Sequence, residues 1–369
     1  MKILICFGTR PEAIKMAPIC LELKQRNIPF KLCVTAQHRE MLDQVLDFFE
    51  LIPDYDLDLM TPNQSLNELS ARILKEIDVV FKKENFDIVV VHGDTTTSSM
   101  VALAAFHRNC KVAHVEAGLR TYNKQSPFPE EMNRQLTGRI ADFHFAPTLK
   151  ASKNLLKEGV ENSKISITGN TVIDALFLTL KKIETGYSNE FIVDLKEKVN
   201  FNKKIVLVTG HRRESFGDGF ENICNAILEI SKNSDIEIVY PVHLNPNVQK
   251  TVYDMLSGKN NIHLINPLDY PSFIWLMSKS FLIISDSGGI QEEAPSLNIP
   301  VLVTRNTTER EEGIDAGFSF LVGTDSAKII ENARKLINSF KTKEGNKNPY
   351  GDGDACEKII NFLEEYTLE

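Results

Sequence analysis

Three carboxylates in the first half of the chain stand where acid–base chemistry could use them. Asp94 and Glu116 each follow an apolar run, Val89-Val90-Val91 and Val112-Ala113-His114-Val115, and Glu130 opens Glu130-Glu131-Met132-Asn133-Arg134. Carboxylates at strand ends beside glycines add little to a core and suit proton transfer. The i,i+4 spacing of Glu130 and Arg134 places both on one helical face, where a solvated ion pair is the plainer reading. Asp94 could equally cap a helix running from Thr95 to Arg108.

The second half offers cations and glycines in comparable places. Gly210-His211-Arg212-Arg213-Glu214-Ser215 sets a histidine and two arginines just beyond an apolar run, and His243 follows Ile238-Val239-Tyr240-Pro241-Val242. Histidine can donate to a leaving phosphate oxygen, and arginine can hold that phosphate bidentately. Two strand-to-helix loops suit an anion: Gly8-Thr9-Arg10-Pro11-Glu12-Ala13-Ile14-Lys15, with Pro11 placed for a first helical turn, and Asp286-Ser287-Gly288-Gly289-Ile290-Gln291-Glu292-Glu293. Glu292 or Glu293 could accept hydrogen bonds from ribose hydroxyls. The first loop is neither a Walker A nor a Gly-x-Gly-x-x-Gly sequence and could be an ordinary turn with surface cations, and the second could be a tight turn with an exposed acidic first turn. The eight histidines show no His-Glu-x-x-His or cysteine-paired spacing, so no metal is expected, and no Gly-x-Ser-x-Gly elbow is present.

The elements that must carry these residues read as parallel strands buried on both faces. Apolar runs at Lys2 to Phe7, Phe30 to Val34, Asp87 to His92, Lys111 to Val115 and Asp142 to Phe145 alternate with amphipathic stretches. A second series follows at Ile205 to Thr209, Ile236 to Tyr240, Ile262 to Ile265, Phe281 to Ser285 and Val301 to Thr304. Alternating β and α segments predict two Rossmann-like, doubly wound α/β domains, with ligands beyond the strands' carboxyl ends and the two crevice edges facing one another. We place the domains at residues 1–175 and 176–352, with Lys181 to Lys204 as a surface connection. A turn-rich cluster, Asn348-Pro349-Tyr350-Gly351-Asp352-Gly353, precedes a final helix (353–369) whose Ile359, Ile360, Phe362 and Leu363 need a cover that periodicity does not identify.

Bulk properties exclude several classes. A chain of 369 residues with 42% hydrophobic and 25% charged residues is ordinary for a globular protein of two domains. Lys plus Arg number 42 against 50 Asp plus Glu, a formal charge of −8 without a basic run, which argues against nucleic acid as a partner. No apolar run approaches bilayer length and the chain opens directly on a strand, so no membrane association and a cytoplasmic location are expected. The six scattered cysteines read as reduced, buried small hydrophobes.

Taken together, the segments resemble the non-hydrolysing UDP-N-acetylglucosamine 2-epimerases, whose two-domain fold is shared with the GT-B glycosyltransferases. The resemblance runs through Phe7-Gly8-Thr9-Arg10-Pro11-Glu12-Ala13, His92-Gly93-Asp94-Thr95-Thr96-Thr97, Val115-Glu116-Ala117-Gly118-Leu119-Arg120-Thr121, Pro129 to Arg134, Gly169-Asn170-Thr171-Val172-Ile173-Asp174-Ala175, Gly210 to Glu214, Asp286 to Glu293 and Asn348 to Gly353. It implies reversible conversion of UDP-GlcNAc to UDP-ManNAc for cell-surface polysaccharide, no cofactor or metal, a last helix that crosses back to the first domain, and a homodimer.

The C2 proton lies beside an amide nitrogen rather than a carbonyl, so simple deprotonation gives no stabilised carbanion. Elimination of UDP to a bound 2-acetamidoglucal, followed by re-addition, provides a route and needs acid–base groups reaching both faces of the sugar. By motif, the resemblance implies catalytic roles for Asp94, Glu116, Glu130 and His211, without saying which carboxylate removes the proton. It implies UDP or sugar contacts for Arg10, Lys15, Arg134, Arg212, His243, Ser287, Gly288, Gly289 and Glu293, and a place beneath the uracil for Phe273, although a helical aromatic is more often core. Bacterial relatives of this kind are expected to use a second UDP-GlcNAc as activator, and Gln37, His38 and Glu40 fall on the matching loop. Glu40 stands where glutamine is usual, and Glu311 where proline is usual. The rival readings are a hydrolysing epimerase releasing UDP and ManNAc, and a nucleotide-sugar sensor without turnover.

Overall fold

Strand β1 (Ile3–Phe7) is apolar and buried at every position, as is β4 (Ile88–His92) except for its terminal histidine, itself buried. Such strands can only lie inside a sheet covered on both faces. The protein is seen here as a computed structural model, which describes residues 1–36, 39–61, 64–212, 216–340 and 347–368. It divides into two units, Met1–Ala175 with Tyr350–Glu369, and Leu176–Pro349.

In the first unit, β1, β2 (Phe30–Val34), β3 (Tyr55–Asp56), β4, β5 (Lys111–Val115), β6 (Phe143–Ala146) and β7 (Ile165–Ile167) form a sheet of order β3-β2-β1-β4-β5-β6-β7. All described pairs are parallel. Its helices are α1 (Arg10–Gln25), α2 (Arg39–Phe48), α3 (Leu66–Lys83), α4 (Thr96–His107), α5 (Glu130–Ile140) and α6 (Leu149–Lys157), while α7 (Thr171–Glu184) leads out of the unit. The strand order reverses between β1 and β4, and parallel sheets offer their ligand crevice at such a reversal. Gly8 and Thr9 follow β1, Gly93 and Asp94 follow β4, and Glu116 follows β5.

The second unit holds α8 (Glu190–Lys198), β8 (Lys204–Thr209), α9 (Asp218–Ile230), β9 (Ile236–Pro241), α10 (Pro246–Leu256), β10 (Ile262–Ile265), α11 (Tyr270–Ser278), β11 (Ser280–Ser285), α12 (Gly288–Glu293), β12 (Val301–Val303), α13 (Glu311–Asp315), β13 (Ser319–Leu321) and α14 (Ser326–Ser339). Its parallel sheet runs β10-β9-β8-β11-β12-β13 and reverses between β8 and β11. The segments Gly210–Arg212 and Asp286–Gly289 follow those two strands.

The doubly wound α/β pair expected from the sequence is therefore present, with corrections in detail. Strands β3, β7 and β13 were not anticipated, being two or three residues long and partly exposed. Lys181 to Lys204 is not a plain connection: it carries the end of α7 and all of α8, which buries Ile192 and Leu195 and is tied to α11 by Asn189 Nδ2 donating to Asp269 Oδ2 at 2.8 Å. Of the cysteines, Cys110 is only half-buried.

The final helix, α15 (Ala355–Leu368), covers the first unit. Ile359, Ile360 and Leu363 are fully buried, and the Phe362 ring meets Phe143 at 5.7 Å and Phe145 at 5.5 Å, edge to face. Arg26 at the end of α1 bonds Asn361 Oδ1 at 2.6 Å and Glu364 Oε2 at 2.9 Å. No described helix is long and apolar enough to cross a membrane.

Candidate functional site

Glu116 is held in a conformation that β-strand residues avoid. Its φ of +61° lies in the left-handed region, which costs a non-glycine residue free energy and persists where surrounding contacts enforce it. Here those contacts are polar. Lys15 Nζ donates to Glu116 Oε2, Asn170 Nδ2 donates to the same oxygen at 2.7 Å, and His92 Nε2 lies 3.7 Å away. Burial opposes a charge on Glu116, but the Lys15 ammonium with its hydrogen bond and the field of His92 outweigh it and hold the carboxyl well below the usual range.

Asp94 does not cap the following helix. Thr95 does, its hydroxyl accepting the Ser98 N–H at 3.0 Å while donating to Glu12 Oε1 at 2.7 Å. Asp94 Oδ2 instead receives Arg134 Nε and Nη2, each at 2.8 Å, and the Asp94 carbonyl accepts Asn133 Nδ2 at 2.9 Å. The expected i,i+4 pairing of Arg134 with Glu130 is replaced by an i,i+3 pair: Arg134 Nη1 bonds Glu131 Oε2 at 3.0 Å, and Glu131 is fully buried. Glu131 also accepts the N–H groups of Thr121 at 3.0 Å and Tyr122 at 3.1 Å. It thus anchors the loop that leads into Glu130, the half-buried first residue of α5.

Glu12 is a second buried carboxylate outside the candidate set. Its Oε2 accepts Gly8 N at 3.0 Å and Thr9 N at 2.8 Å, closing a reciprocal cap with Thr9, and the Thr95 bond joins the loops after β1 and β4. Burial raises its pKa against those hydrogen bonds. Arg10 opens α1 beside it, half-buried.

In the second unit Asp286 plays the organising part. Its Oδ2 accepts the N–H groups of His211 at 2.8 Å and Arg212 at 2.9 Å, and its carbonyl accepts Arg212 Nε at 3.1 Å. Its Oδ1 lies 3.2 Å from His211 Nδ1. Burial works against the charge on Asp286, and the bonds from His211 and Arg212 still hold its carboxyl below the ordinary value. The Asp286 charge favours the His211 tautomer that carries its proton on Nδ1, which leaves Nε2 as the acceptor nitrogen. The His243 ring stacks on His211 at 5.4 Å, and its Nδ1 accepts Asn245 N–H at 3.1 Å. Burial and the neighbouring His211 depress the His243 pKa.

Ser287, Gly288 and Gly289 follow directly. A Cβ on Gly288 would come within 2.7 Å of Arg310 Cζ, so the Arg310 guanidinium, held by Glu309 and by Glu292 Oε1 at 3.1 Å, packs directly on the Gly288 backbone. Glu292 is accordingly engaged by Arg310, whereas Glu293 receives the Tyr270 hydroxyl at 3.1 Å. Both glutamates are thus buried and engaged within the unit.

The sequence family described as UDP-N-acetylglucosamine 2-epimerase matches this chain across residues 21–364. The chain belongs to that family. It is 55% identical over 371 residues to the UDP-N-acetylglucosamine 2-epimerase of Campylobacter jejuni, covering 98% of this chain and 97% of that one. Among solved structures, the Neisseria meningitidis UDP-GlcNAc 2-epimerase bound to UDP-GlcNAc superposes with a TM-score of 0.91 at 49% identity, over 99% of this chain and 100% of the other. The Methanocaldococcus jannaschii UDP-GlcNAc 2-epimerase in complex with UDP-GlcNAc and UDP does so at 0.83 and 36% identity, over 99% and 100%.

For a member of the UDP-N-acetylglucosamine 2-epimerase family, two further placements matter. Phe273 and Ser278 are the half-buried residues of a helix whose Tyr270, Pro271, Ser272 and Ile274–Met277 are all buried. Of the expected activator loop, Gln37 and His38 lie outside the described residues, and Glu40 is exposed in the first turn of α2. The sequence reading gave no individual role to His92, Glu131 or Asn170. Glu12 alone carried a signal, the Thr9-x-x-Glu12 capping pattern.

Proposed function

We propose that the protein interconverts UDP-GlcNAc and UDP-ManNAc without hydrolysis, by elimination and re-addition of UDP. The observation that carries this reading is the ionised, strand-end Glu116 cornered by Lys15, His92 and Asn170 in a chain of this family. In the elimination, a carboxylate takes the C2 proton, the C2–H electron pair becomes the C1=C2 double bond, and the C1–O pair departs on the β-phosphate of UDP. In re-addition a proton reaches C2 from the opposite face and the phosphate oxygen returns to C1. Asp94, Glu116 and Glu130 supply the proton acceptor and donor, with Arg134 fixing Asp94 and Lys15 fixing Glu116. His211 Nε2 and Arg212 meet the charge developing on the departing diphosphate, and Ser287, Gly288, Gly289, Glu293 and Phe273 hold the nucleotide, with His243 supporting His211. Arg10 adds a cation at the start of α1.

Incubation with UDP-GlcNAc in D2O, followed by NMR, tests the reading. UDP-ManNAc carrying deuterium at C2 is expected. Stoichiometric free UDP and ManNAc would make the protein a hydrolase, and unchanged substrate bound tightly would make it a sensor.

A further inference from the structure

Besides Lys15, the Glu116 carboxylate accepts a hydrogen bond from a neutral residue whose position in the chain is informative. Asn170 is 2% exposed, and its Oδ1 accepts the Val172 N–H at 3.1 Å, which orients the amide so that its NH2 group faces Glu116 Oε2 at 2.7 Å. Its own N–H donates to the Tyr350 carbonyl at 2.7 Å. Tyr350 is where the chain re-enters the first unit, and Asn170 lies just before Ala175, where it leaves. The outgoing and returning passages touch backbone to backbone: a Cβ on Gly169 would lie 3.2 Å from Gly351 Cα and from the Tyr350 carbonyl oxygen, and both glycines have positive φ, +88° and +124°.

The geometry points to Asn170 as a positioning residue that ties the Glu116 carboxylate to this paired passage, so that a shift of the passage is felt at the carboxylate to which the proposed function gives a proton-transfer role. The inference rests on the epimerase reading above. The titratable groups acting on Glu116 are Lys15 from α1, His92 from β4 and, through its field, Arg134 from α5. Asn170 joins the carboxylate to the passage, through its side-chain amide on one side and its backbone N–H on the other. An amide donor favours the ionised carboxylate, so its loss raises the pH at which Glu116 takes a proton.

Asn170→Ala should lower kcat about tenfold with KM within about twofold, and should move the acid limb of the kcat profile up by about one pH unit. Asn170→Asp, which keeps the side-chain shape, should move it further by placing a second carboxylate on Glu116. Gly351→Ala, which crowds Gly169 Cα at 3.3 Å and touches neither carboxylate, should shift the limb in the same direction. Thermal midpoints establish that each variant is folded. A folded Asn170→Ala protein with wild-type kcat and acid limb overturns the assignment, and so does an unmoved Asn170→Asp should the alanine variant not fold. A folded Gly351→Ala protein with the wild-type profile overturns the link to the passage. The Glu116 carboxyl titration, followed by 13C NMR and assigned with Glu116→Gln, decides the Asn170 contact independently of turnover. A wild-type protein inert towards UDP-GlcNAc refutes the epimerase reading alone.

Discussion

Lys15 and Glu116 lie 101 residues apart in sequence, yet the ammonium of the first sits on the carboxylate of the second, with side chains only 12% and 9% exposed. Breaking a buried pair from one side strands the other charge, at about 3 kcal/mol. Lys15→Met should therefore destabilise the protein by about that amount at neutral pH and lower kcat at least about a hundredfold. The sign with pH follows from the direction of the shift. Glu116 titrates below its unfolded value, so the pair stabilises the fold above that value and its contribution is lost as pH falls through the folded one. Urea unfolding should show the largest gap between wild type and variant near neutrality and a shrinking gap on acidification below about pH 4.5. A gap that is constant with pH would contradict the pairing.

Asp286 holds the local backbone through two N–H groups, and its Oδ1, 3.2 Å from His211 Nδ1, favours the ring tautomer with its proton on Nδ1. In Asp286→Asn the amide oxygen can keep the backbone bonds while its NH2 group faces Nδ1, which moves the ring proton to Nε2. Turnover should fall by about a thousandfold, while affinity for UDP changes by no more than about threefold, as read by calorimetry. Unchanged turnover would remove the tautomer from the mechanism.

Phe273→Ala separates binding from folding. Phe273 is half-exposed on α11, whereas Trp275 on the same helix is buried and packs on Phe201 at 5.1 Å. On the proposed place of its ring beneath uracil, the variant should bind UDP about tenfold more weakly, with the melting midpoint nearly unchanged. Trp275→Ala should do the reverse, costing about 3 kcal/mol of stability. A destabilised Phe273→Ala with intact UDP affinity would return Phe273 to the core.

The long central strands were legible because each is a continuous apolar run between turn formers; β1, β4, β8 and β11 need both faces covered and say so in composition. Tyr55–Asp56, Ile165–Ile167 and Ser319–Leu321 were not, because short edge or near-edge strands are specified by the neighbour they pair with. Strand-end loops also marked where polar residues gather. What they did not reveal was which side chains meet. Lys15, His92, Glu116 and Asn170 converge only once β1, β4 and β5 lie side by side, an order that no spacing encodes. Likewise Glu130 and Glu131 differ by one helical step, and only packing shows that the second is buried against Arg134.

Asp174 on α7 holds the start of α15, its Oδ1 accepting the Cys356 N–H at 2.9 Å, while its buried Oδ2 has no hydrogen-bond partner. Burial raises its pKa despite that bond. Folding therefore favours the protonated form, and stability falls as pH rises from the unfolded value through the folded one. Asp174→Asn keeps an acceptor without that loss. It should be more stable than wild type by about 1 kcal/mol near pH 8, with the difference closing below about pH 4. Denaturant midpoints at the two pH values check this, and an Asn variant less stable at pH 8 would contradict it.

The first unit takes its strands from residues before 175 and its covering helix α15 from residues after 350, so the second unit is in effect an insertion within it. On the ribosome, all of Leu176–Pro349 emerges before the helix that seals Ile359, Ile360 and Leu363 against the first unit. The half of the protein that is begun first is thus completed last, and until then a hydrophobic flank of its sheet waits uncovered. A chain truncated before α15 would have all its strands and every candidate site residue, and would still lack the layer that keeps the first of those sheets from sticking to something else.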